Sequence, residues 1–417
     1  KNPYLCIMDS KEIFTSALGL QSPWSVIRAE FQINESGTKE LHLWLAFEKG
    51  FLFTAPDGSQ STAYDTLDKT WRHLNFFQHH CYIHCKVPRI RYGENKIAMV
   101  SVPWARPHSG FTLLFEAYSM LLIEEEMPVS SVSEVTQVTA PRIWRVFKYW
   151  VNEAYERSDW SNVRRIGVDE TSRRKGHCYI TQFVDLDAHR TLFAVEGKDS
   201  ETFGAFKTEL QRKGGDPEKI KLISMDMSPA FISGRDEYFP QAEIVFDKFH
   251  LVQYLNKALD EVRKAEHKNC DLLKCERYTF LRNRSKLSQE KLRKLDKMLI
   301  SYPNIGEAYG LREGFMDTYL VPDKEEAKGY LAFWCDVAID AKLEPFRKFV
   351  NTIKAHWSGI VSYFENRGVT NGVLEGINSK IQLAKRRARG YSNVDNFIRM
   401  IYYMSGKLDM AYPHDSL

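Results

Sequence analysis

Three acidic residues stand where a carboxylate could do chemistry. Asp169 ends a short stretch that apolar–polar alternation predicts to be a strand, Arg165–Glu170. Asp226 comes directly after a second predicted strand, Ile220–Met225, and Glu375 lies on a predicted helix near the end of the chain. A carboxylate inside a sheet is costly unless it is paired, hydrogen-bonded or bound to a metal ion. Each acid therefore needs a partner, and the three together could supply one site.

Two carboxylates at adjacent strand ends, with a third from a helix packed across them, can hold two divalent cations. Mg²⁺ needs few protein carboxylates because it keeps waters and binds phosphate oxygens. Two such ions, about 3.5–4 Å apart, would activate a water or a 3′-hydroxyl and stabilise the leaving oxygen of a phosphodiester. Each acid also has an ordinary explanation: Asp226, before Ser228-Pro229, could cap a turn or helix, and a helical Glu is usually solvated. The prediction of a metal site depends on all three acids together.

Basic residues follow the last acid closely. The run from Lys380 to Arg389 holds five basic residues and no acidic one. We predict that four of them grip phosphates near the scissile bond: Lys380, Lys385, Arg386 and Arg387. A second basic stretch, Lys257–Lys297, has thirteen basic against seven acidic residues, but such runs are usually solvated helix faces.

Residues 111–157 have the pattern of helices rather than strands. A short predicted helix, Ser130–Gln137, is followed by a turn and a longer helix with Thr139 as its cap and Pro141 at its first position. The side opposite the apolar stripe of the longer helix carries Arg142, Arg145 and Lys148. This layout is typical of a helix-turn-helix that binds DNA. A plain helical hairpin between two domains fits the same pattern, and the basic face favours DNA binding only modestly.

The first 105 residues favour strands. The predicted strands are Trp24–Phe31, Leu41–Phe47, Phe76–His84 and Ile97–Val102. Metal-ligating residue types cluster in the third: His79, His80, Cys81, His84 and Cys85. There is no second cysteine pair nearby, and Cys81, Ile83 and Cys85 would share one face of the strand. We therefore expect packed thiols and surface histidines, not a zinc site.

From Val163 onward, strand and helix signals alternate. The predicted strands after Arg165–Glu170 are His177–Val184, Thr191–Glu196, Ile220–Met225 and Glu243–Phe246, with a polar turn at Ser172–Gly176. The predicted helices are Ser200–Lys213, Pro229–Tyr238 and His250–Lys264. This order predicts a mixed α/β sheet. Between about His267 and Gly359 the chain is predicted to be helical, as an insertion into that domain.

Bulk properties exclude several classes. The 417 residues are too many for one ordinary core, so we expect two to four domains. The net charge of +4 is too small to imply nucleic-acid binding by itself. No apolar run has membrane-spanning length and no secretory pattern begins the sequence. Seven scattered cysteines favour reduced thiols, so a cytoplasmic protein is expected.

A set of motifs resembles one protein family. They are GVDE at Gly167–Glu170, GHCYIT at Gly176–Thr181, SMDMSPAF at Ser224–Phe231, DKFH at Asp247–His250 and TNGVLEGINSKIQLAKRRARGY at Thr370–Tyr391, with ALGLQSPW, TWRHLNFF and VPWARPHSGFT in the amino-terminal part. In this order they resemble the DDE transposases of bacterial insertion sequences of the ISL3 family. The resemblance covers nearly the whole chain.

The resemblance implies a ribonuclease-H-like catalytic domain with an α-helical insertion before the last acid. It implies Asp169, Asp226 and Glu375 as the catalytic and metal-binding triad, with Mg²⁺ as cofactor and Mn²⁺ as a substitute. It further implies a helix-turn-helix that binds the terminal inverted repeats, action on double-stranded DNA as a homodimer or larger oligomer, and a place on the bacterial nucleoid when bound to DNA.

The chain departs from the family pattern in its amino-terminal part. Family members carry a zinc ribbon with CPxCG and a later CxxC-like pair, whereas Ala55-Pro56-Asp57-Gly58 and Tyr92-Gly93 stand at those places. We expect no zinc there, although the β scaffold can persist. Within the DKFH motif, Asp247 and His250 are candidates for a role behind the metal ligands or in DNA contact, and a plain helix-start role for Asp247 fits equally well. Glu170 points away from Asp169 in a strand and is expected to be structural.

We predict a multidomain α+β protein. Its segments are a β-rich, degenerate zinc-ribbon-like domain (1–108), a helix-turn-helix (109–158), the first part of the ribonuclease-H-like domain (159–265), an all-α insertion (266–365) and the last part of the catalytic domain (366–417). The predicted function is cleavage of element ends and transfer of the 3′-hydroxyl to target DNA. The alternatives are a ribonuclease-H-like nuclease without strand transfer and a non-catalytic DNA-binding protein.

Overall fold

The computed structural model describes residues 9–174, 178–267, 273, 276–282, 284–366 and 372–412. These form two compact units. The first holds the described residues up to Trp150 together with those from Met410 onward, and the second runs from Val151 to Asp409. Both units mix helices and strands, so the predicted α+β class is confirmed. Among the described residues, no helix combines the length and apolar composition needed to cross a membrane.

The first unit is built on a sheet that follows helix α1 (Ser10–Ala17). Its strands are β1 Trp24–Ile33, β2 Lys39–Phe47, β3 Phe53–Thr54, β4 Gln60–Ser61, β5 Ala63–Phe76, β6 His79–Tyr92 and β7 Lys96–Met99. The main sheet has the order β1-β2-β6-β5, with β7 paired to β6, while β3 and β4 form a separate ribbon. One face of β2 and β6 is apolar and buried, and that face forms the core of this sheet.

The predicted strand Phe76–His84 is wrong in one respect. Phe76 is the last residue of β5 and β6 begins at His79, so the predicted segment spans a hairpin turn. Phe77 makes this turn with a φ of 50°. The turn uses Phe77 and Gln78 rather than glycine or asparagine, so its residue types do not mark it as a turn. The long strand β5 was not predicted either.

Three helices follow: α2 Leu113–Glu124, α3 Val129–Thr136 and α4 Ala140–Glu156, whose last six residues belong to the second unit. The bounds of α3 agree with the predicted helix Ser130–Gln137 to within one residue. Helix α3 is followed by Gln137, which has a left-handed φ of 53°, and α4 begins three residues after Gln137. The predicted apolar stripe of α4 is buried at Ile143, Val146 and Phe147.

The second unit contains the predicted mixed sheet. Its strands are β8 Arg165–Arg174, β9 Cys178–Asp185, β10 Arg190–Glu196, β11 Leu222–Met225 and β12 Glu243–Phe246. The order is β10-β9-β8-β11-β12. The β8–β9 and β9–β10 pairs are antiparallel, whereas β11 is parallel to both β8 and β12. Parallel neighbours bring their carboxyl ends to one edge of the sheet.

Strand β8 is longer than predicted, and this corrects the position of Asp169. The strand continues to Arg174, with Ser172 paired to Tyr179, so Asp169 lies within β8 rather than at its end. The predicted turn at Ser172–Gly176 is wrong for Ser172–Arg174, and residues 175–177 lie outside the described residues. The polar end of β8 is stabilised by a distant helix, since Gln382 Nε2 donates to Thr171 Oγ1 at 2.9 Å.

Helices cover the sheet and fill the rest of the second unit. They are α5 Glu201–Arg212, α6 Pro229–Tyr238, α7 Lys248–His267, α8 Arg277–Leu281, α9 Gln289–Ser301, α10 Pro303–Thr318, α11 Lys324–Asp340, α12 Glu344–Ala355, α13 Trp357–Glu365, α14 Gly372–Arg387 and α15 Val394–Ser405. No strand occurs among the described residues between His267 and Gly359, as predicted. Helix α13 returns to the sheet, because Gly359 lies against Phe246 of β12 and a Cβ there would approach the ring to 2.5 Å.

Candidate active site

Three aspartates lie at one level across three adjacent parallel strands. Asp169 is in β8, Asp226 follows β11 directly and Asp247 follows β12 directly. Continuing the register of each pair by one or two residues sets Asp226 opposite both of the others, and the Asp247 N–H donates to Met225 O at 3.0 Å. The last paired residues before the acids are Ser224 with Gly167 and Met225 with Phe246. Neighbouring strands are about 4.8 Å apart, so the three backbones are close.

Asp169 is half-buried and both of its oxygens accept hydrogen bonds. The Glu170 N–H donates to Oδ1 at 2.7 Å, and Asn378 Nδ2 donates to Oδ2 at 2.6 Å. Burial raises the pKa of the Asp169 carboxyl above its ordinary value, while these two hydrogen bonds and the charge of His250 oppose the rise. The polar contacts thus favour the ionised form that a metal ligand or general base requires.

Asp226 has the local role of a turn former as well as its place in the acid row. Its Oδ1 accepts from the Ser228 N–H at 2.9 Å, just before helix α6 begins at Pro229. Asp226 therefore does cap the turn before α6, which is the ordinary role that its sequence position allows. This role does not account for the alignment of Asp226 with acids on both neighbouring strands.

Asp247 also starts a helix. Its Oδ1 accepts from the Phe249 N–H at 2.7 Å, and its Oδ2 lies 3.0 Å from His250 Nδ1. The hydrogen bond with Asp247 raises the pKa of His250, and the negative charges of Asp247, Asp226 and Asp169 act in the same direction. His250 therefore lies in the field of all three aspartates.

Glu170 contributes to the same field. Burial raises its pKa, the Lys198 ammonium lowers it, and the charges of Asp226 and Asp169 raise it further. Alternation along the strand predicted a residue pointing away from Asp169. The coupling to Asp226 shows that Glu170 nevertheless belongs to the electrostatic surroundings of the acid row, which the sequence pattern could not reveal.

Glu375 reaches this region through helix α14. Leu374 packs against Gly167 so closely that a Cβ on the glycine would lie 2.9 Å from its side chain. Asn378, which bonds Asp169, is three residues after Glu375, and side chains at this spacing are neighbours on a helix surface, about 5–6 Å apart at Cβ. Glu375 is exposed in the first turn of α14. This packing therefore places Glu375 about one helical turn from Asn378, the residue that contacts Asp169.

The backbones of these acidic residues lie close together, but their side chains do not come together into one group. Among the described residues, no three His, Cys, Asp or Glu side chains form a group able to hold a metal ion. Like charges repel, so carboxylates without a cation between them are expected to stay apart. In chemistry the donors fit Mg²⁺ or Mn²⁺: they are hard oxygens, and Mg²⁺ needs only one or two protein carboxylates with waters and substrate phosphates. Asp169 and Asp226 are the pair best placed to hold it.

The predicted DNA-contact residues occupy two helices. On α4, Arg145 is exposed, whereas the Arg142 guanidinium lies over the Phe111 ring at 4.4 Å. On α14, Lys380, Arg386 and Arg387 are exposed. The remaining two candidates are Lys148, which is half-buried, and Lys385, whose Nζ donates to Ser172 O at 2.6 Å.

Two polar residues beside Asp169 were missed by the sequence reasoning. They are Asn378 and Gln182, which is 1% exposed and donates from Nε2 to Asn378 Oδ1 at 3.1 Å. A glutamine within the otherwise apolar run of β9 was a signal of a buried polar contact. The position of Asn378 on the same helix face as Glu375 was another.

In the cysteine and histidine cluster of the first unit, the cysteines and His84 lie on opposite faces of the sheet. Cys81 and Cys85 are buried in the core of the sheet, and burial raises the pKa of both thiols to about 12. His84 is on the opposite face, where its Nε2 lies 2.8 Å from His42 Nδ1. The predicted packing of the thiols is confirmed.

Two family models match the chain. One for DDE transposases of the ISL3 type, described as "Transposase", matches residues 166–401. The other, described as "Helix-turn-helix domain of transposase family ISL3", matches residues 100–151. The first match contains the acid row, α14 and two thirds of α15, and the second contains α2, α3 and most of α4.

Full-length relatives agree with these matches. The chain is 27% identical over 350 residues to the transposase for insertion sequence element IS1001 of Bordetella parapertussis, which covers 81% of this chain and 84% of that protein. It is 26% identical over 365 residues to the transposase for insertion sequence element IS1557 of Mycobacterium tuberculosis, covering 80% of each.

Proposed function

The chain belongs to the ISL3 family of insertion-sequence transposases, and we propose that it cleaves DNA at the ends of its element and joins the freed 3′-hydroxyl to target DNA. The observation that supports this most is the alignment of Asp169 and Asp226 on adjacent parallel strands beside the helix of Glu375. A purely structural acid has no need of such neighbours, since like charges at one sheet edge destabilise the fold.

We propose that Asp169, Asp226 and Glu375 are the catalytic and metal-binding residues. When bound, two Mg²⁺ ions would activate the attacking oxygen and stabilise the leaving oxygen of the phosphodiester. The rigid sheet fixes Asp169 and Asp226, and α14 brings Glu375 and its basic residues. Asp247 lies next to Asp226 in the row of acids and His250 contacts Asp247, and the role of these two residues is to hold the charge balance and orientation of the site.

We propose a ribonuclease-H-like fold for the catalytic domain, in the two parts 159–265 and 366–417 around an insertion at 266–365. The mixed sheet and the helical segment between Asp247 and Glu375 support it. The amino-terminal segments would be the β-rich domain 1–108 and the helix-turn-helix 109–158.

DNA contact is proposed for two sets of basic residues. Arg142, Arg145 and Lys148 on α4 would bind the terminal inverted repeats, and the α14 residues Lys380, Lys385, Arg386 and Arg387 would hold phosphates near the scissile bond. A homodimer or larger oligomer would bring two ends together. Each phosphate contact releases counterions, so binding should weaken steeply with salt.

The substitution Asp226→Asn tests the proposal. Asparagine keeps an oxygen for the Ser228 N–H, so the turn before α6 is preserved while the negative charge is lost. Cleavage of a duplex carrying the terminal repeats should vanish, and binding to that duplex should survive. Asp216→Asn is a matched control, because Asp216 caps a short helix ahead of β11 through the Glu218 N–H at 3.1 Å.

Persistent cleavage by Asp226→Asn in Mg²⁺ would show that the triad is assigned wrongly. Ends cut beforehand separate transposase from nuclease, since only a transposase joins them to a second duplex. Binding without cleavage by the unaltered chain would favour a DNA-binding protein without catalytic activity.

A further inference from the structure

Asn378 links the first acid of the proposed site to the helix that bears the last acid. We propose that Asn378 is a positioning residue, which orients the Asp169 carboxylate for a divalent cation and fixes α14 at the distance that Glu375 requires. The inference rests on the proposed function, because it assumes that Asp169 is a metal ligand.

The hydrogen bonds of Asp169 leave it one defined orientation. One oxygen is held by the Glu170 N–H at 2.7 Å and the other by Asn378 Nδ2 at 2.6 Å. A carboxylate oxygen has two lone pairs, so each oxygen keeps one for a cation. With only the backbone donor, the carboxylate could rotate about its χ2 torsion, which is broad for aspartate.

Gln182 holds the other end of the Asn378 amide, whose NH₂ group faces the Asp169 carboxylate because a carboxylate can only accept. It is opposite Asp169 in the β8–β9 register, is 1% exposed, and donates from Nε2 to Asn378 Oδ1 at 3.1 Å. The amide oxygen is thereby turned toward Gln182, and the NH₂ group toward the carboxylate. Gln182 Oε1 is buried and has no hydrogen-bond partner within the described part of the chain, so burying this glutamine costs stability.

A neutral donor suits a residue beside a cation site. Asn378 supplies a hydrogen bond without a positive charge, whereas lysine or arginine at this place would repel a divalent ion and compete for the carboxylate. The same helix does carry cations further along, at Lys380, Lys385, Arg386 and Arg387. The choice of an amide is therefore consistent with an orienting role.

Gln382 provides a matched comparison on the same helix. It is four residues after Asn378 and its Nε2 donates to Thr171 Oγ1 at 2.9 Å, so it ties α14 to β8 in the same manner. Its acceptor is a neutral hydroxyl two residues beyond Asp169. If Asn378 only fastened the helix to the strand, removal of either amide should have the same consequences.

The experiment uses the full chain and its Asn378→Ala, Gln382→Ala, Gln182→Met and Asp169→Asn variants. Calorimetric titration with Mn²⁺ measures metal affinity, and the Mg²⁺ concentration for half-maximal cleavage measures the same property during turnover. We expect Asn378→Ala to weaken both about 10-fold or more, with Gln382→Ala close to the parent. Thermal unfolding of the two alanine variants should be similar.

Gln182→Met acts as a second variant that leaves Asn378 in place. It should weaken Mn²⁺ binding less than Asn378→Ala, and it should add nothing to that change in the double variant, because it acts through the same amide. If Asn378→Ala does not fold, Gln182→Met alone tests the inference, because a Mn²⁺ affinity equal to that of the parent and of Gln382→Ala would overturn it.

Equal Mn²⁺ affinity for Asn378→Ala and Gln382→Ala would overturn the positioning role, as would additive effects of Gln182→Met and Asn378→Ala. In both cases the loss of Mn²⁺ binding in Asp169→Asn would leave the proposed function standing. Normal Mn²⁺ binding and cleavage by Asp169→Asn would instead overturn the proposed function itself.

Discussion

The two main sheets of this protein each contain a cluster of metal-ligating residue types, but the clusters are built on different geometry. In the amino-terminal sheet, Cys81 and Cys85 lie on one strand, four residues apart, which separates them by about 13 Å. In the second sheet, Asp169 and Asp226 lie on neighbouring strands at one level. Ligand spacing across strands can converge on one ion, whereas this spacing along a strand cannot.

The surroundings of the two clusters differ as well: the thiols lie in an apolar core, and Asp169 has hydrogen-bond donors beside it. The thiols face the core and stay protonated, since burial raises the pKa of each to about 12. Asp169 is half-buried, and its two hydrogen-bond donors stabilise its charge. Residue type alone therefore does not predict a metal site: the register between strands and the presence of donors to the charged form decide it.

The largest effect should come from Asp169→Asn. The substitution removes a proposed ligand with almost no change in shape, so we expect cleavage to fall about 10³-fold or more, on the order of 4 kcal/mol in the barrier, with repeat binding intact. Single-turnover cleavage of labelled duplex ends measures it. A fall in the cleavage rate of less than tenfold would mean that Asp169 is not a metal ligand, so that the two sheets would not differ in this respect.

His250→Gln should have the next largest effect. Glutamine can keep a hydrogen bond to Asp247 but cannot carry the positive charge that offsets the aspartates. Residues behind metal ligands typically alter metal affinity or activity by about 10–100-fold. The Mg²⁺ dependence of cleavage provides the measurement. The same Mg²⁺ dependence in the variant and the parent would show that Asp247 and His250 only form the start of a helix.

Gly167→Ala tests the packing between β8 and α14. An added Cβ would lie 2.9 Å from both Leu186 and Leu374, and overpacking of this kind costs about 1–3 kcal/mol. Cleavage should also fall, since α14 must shift. Gly376→Ala is the control: a Cβ there meets no atom within 4 Å among the described residues. Chemical denaturation and cleavage rates of both variants should therefore diverge.

The smallest effect on activity should come from Cys85→Ala in the other sheet. Loss of a buried side chain should lower the free energy of unfolding by about 1–2 kcal/mol, while the metal dependence of cleavage stays unchanged. A zinc-selective chelator should leave the thermal unfolding of the parent chain unaltered. A drop in bound zinc on substitution would show that the cysteines ligate after all.

Much of the local structure was predictable, and the limits have physical causes. Helix α6 and strand β12 have the predicted bounds because Pro229 marks the start of the helix and the short apolar run Ile244–Phe246 marks the strand. Asp226 was recognised because it interrupts an apolar pattern. The extension of β8 to Arg174 was not predictable, since contacts from α14, over two hundred residues away, stabilise its polar end. The roles of Asn378 and Gln182 depend on the same long-range packing.

The most direct test is a structure of the chain bound to terminal-repeat DNA with Mg²⁺ or Ca²⁺. We predict that Asp169, Asp226 and Glu375 turn toward one another and share a pair of ions at the scissile phosphate. The hydrogen bond from Asn378 to Asp169 should remain. Ions bound elsewhere, or a Glu375 that remains in solvent while the phosphate lies at the sheet edge, would contradict it.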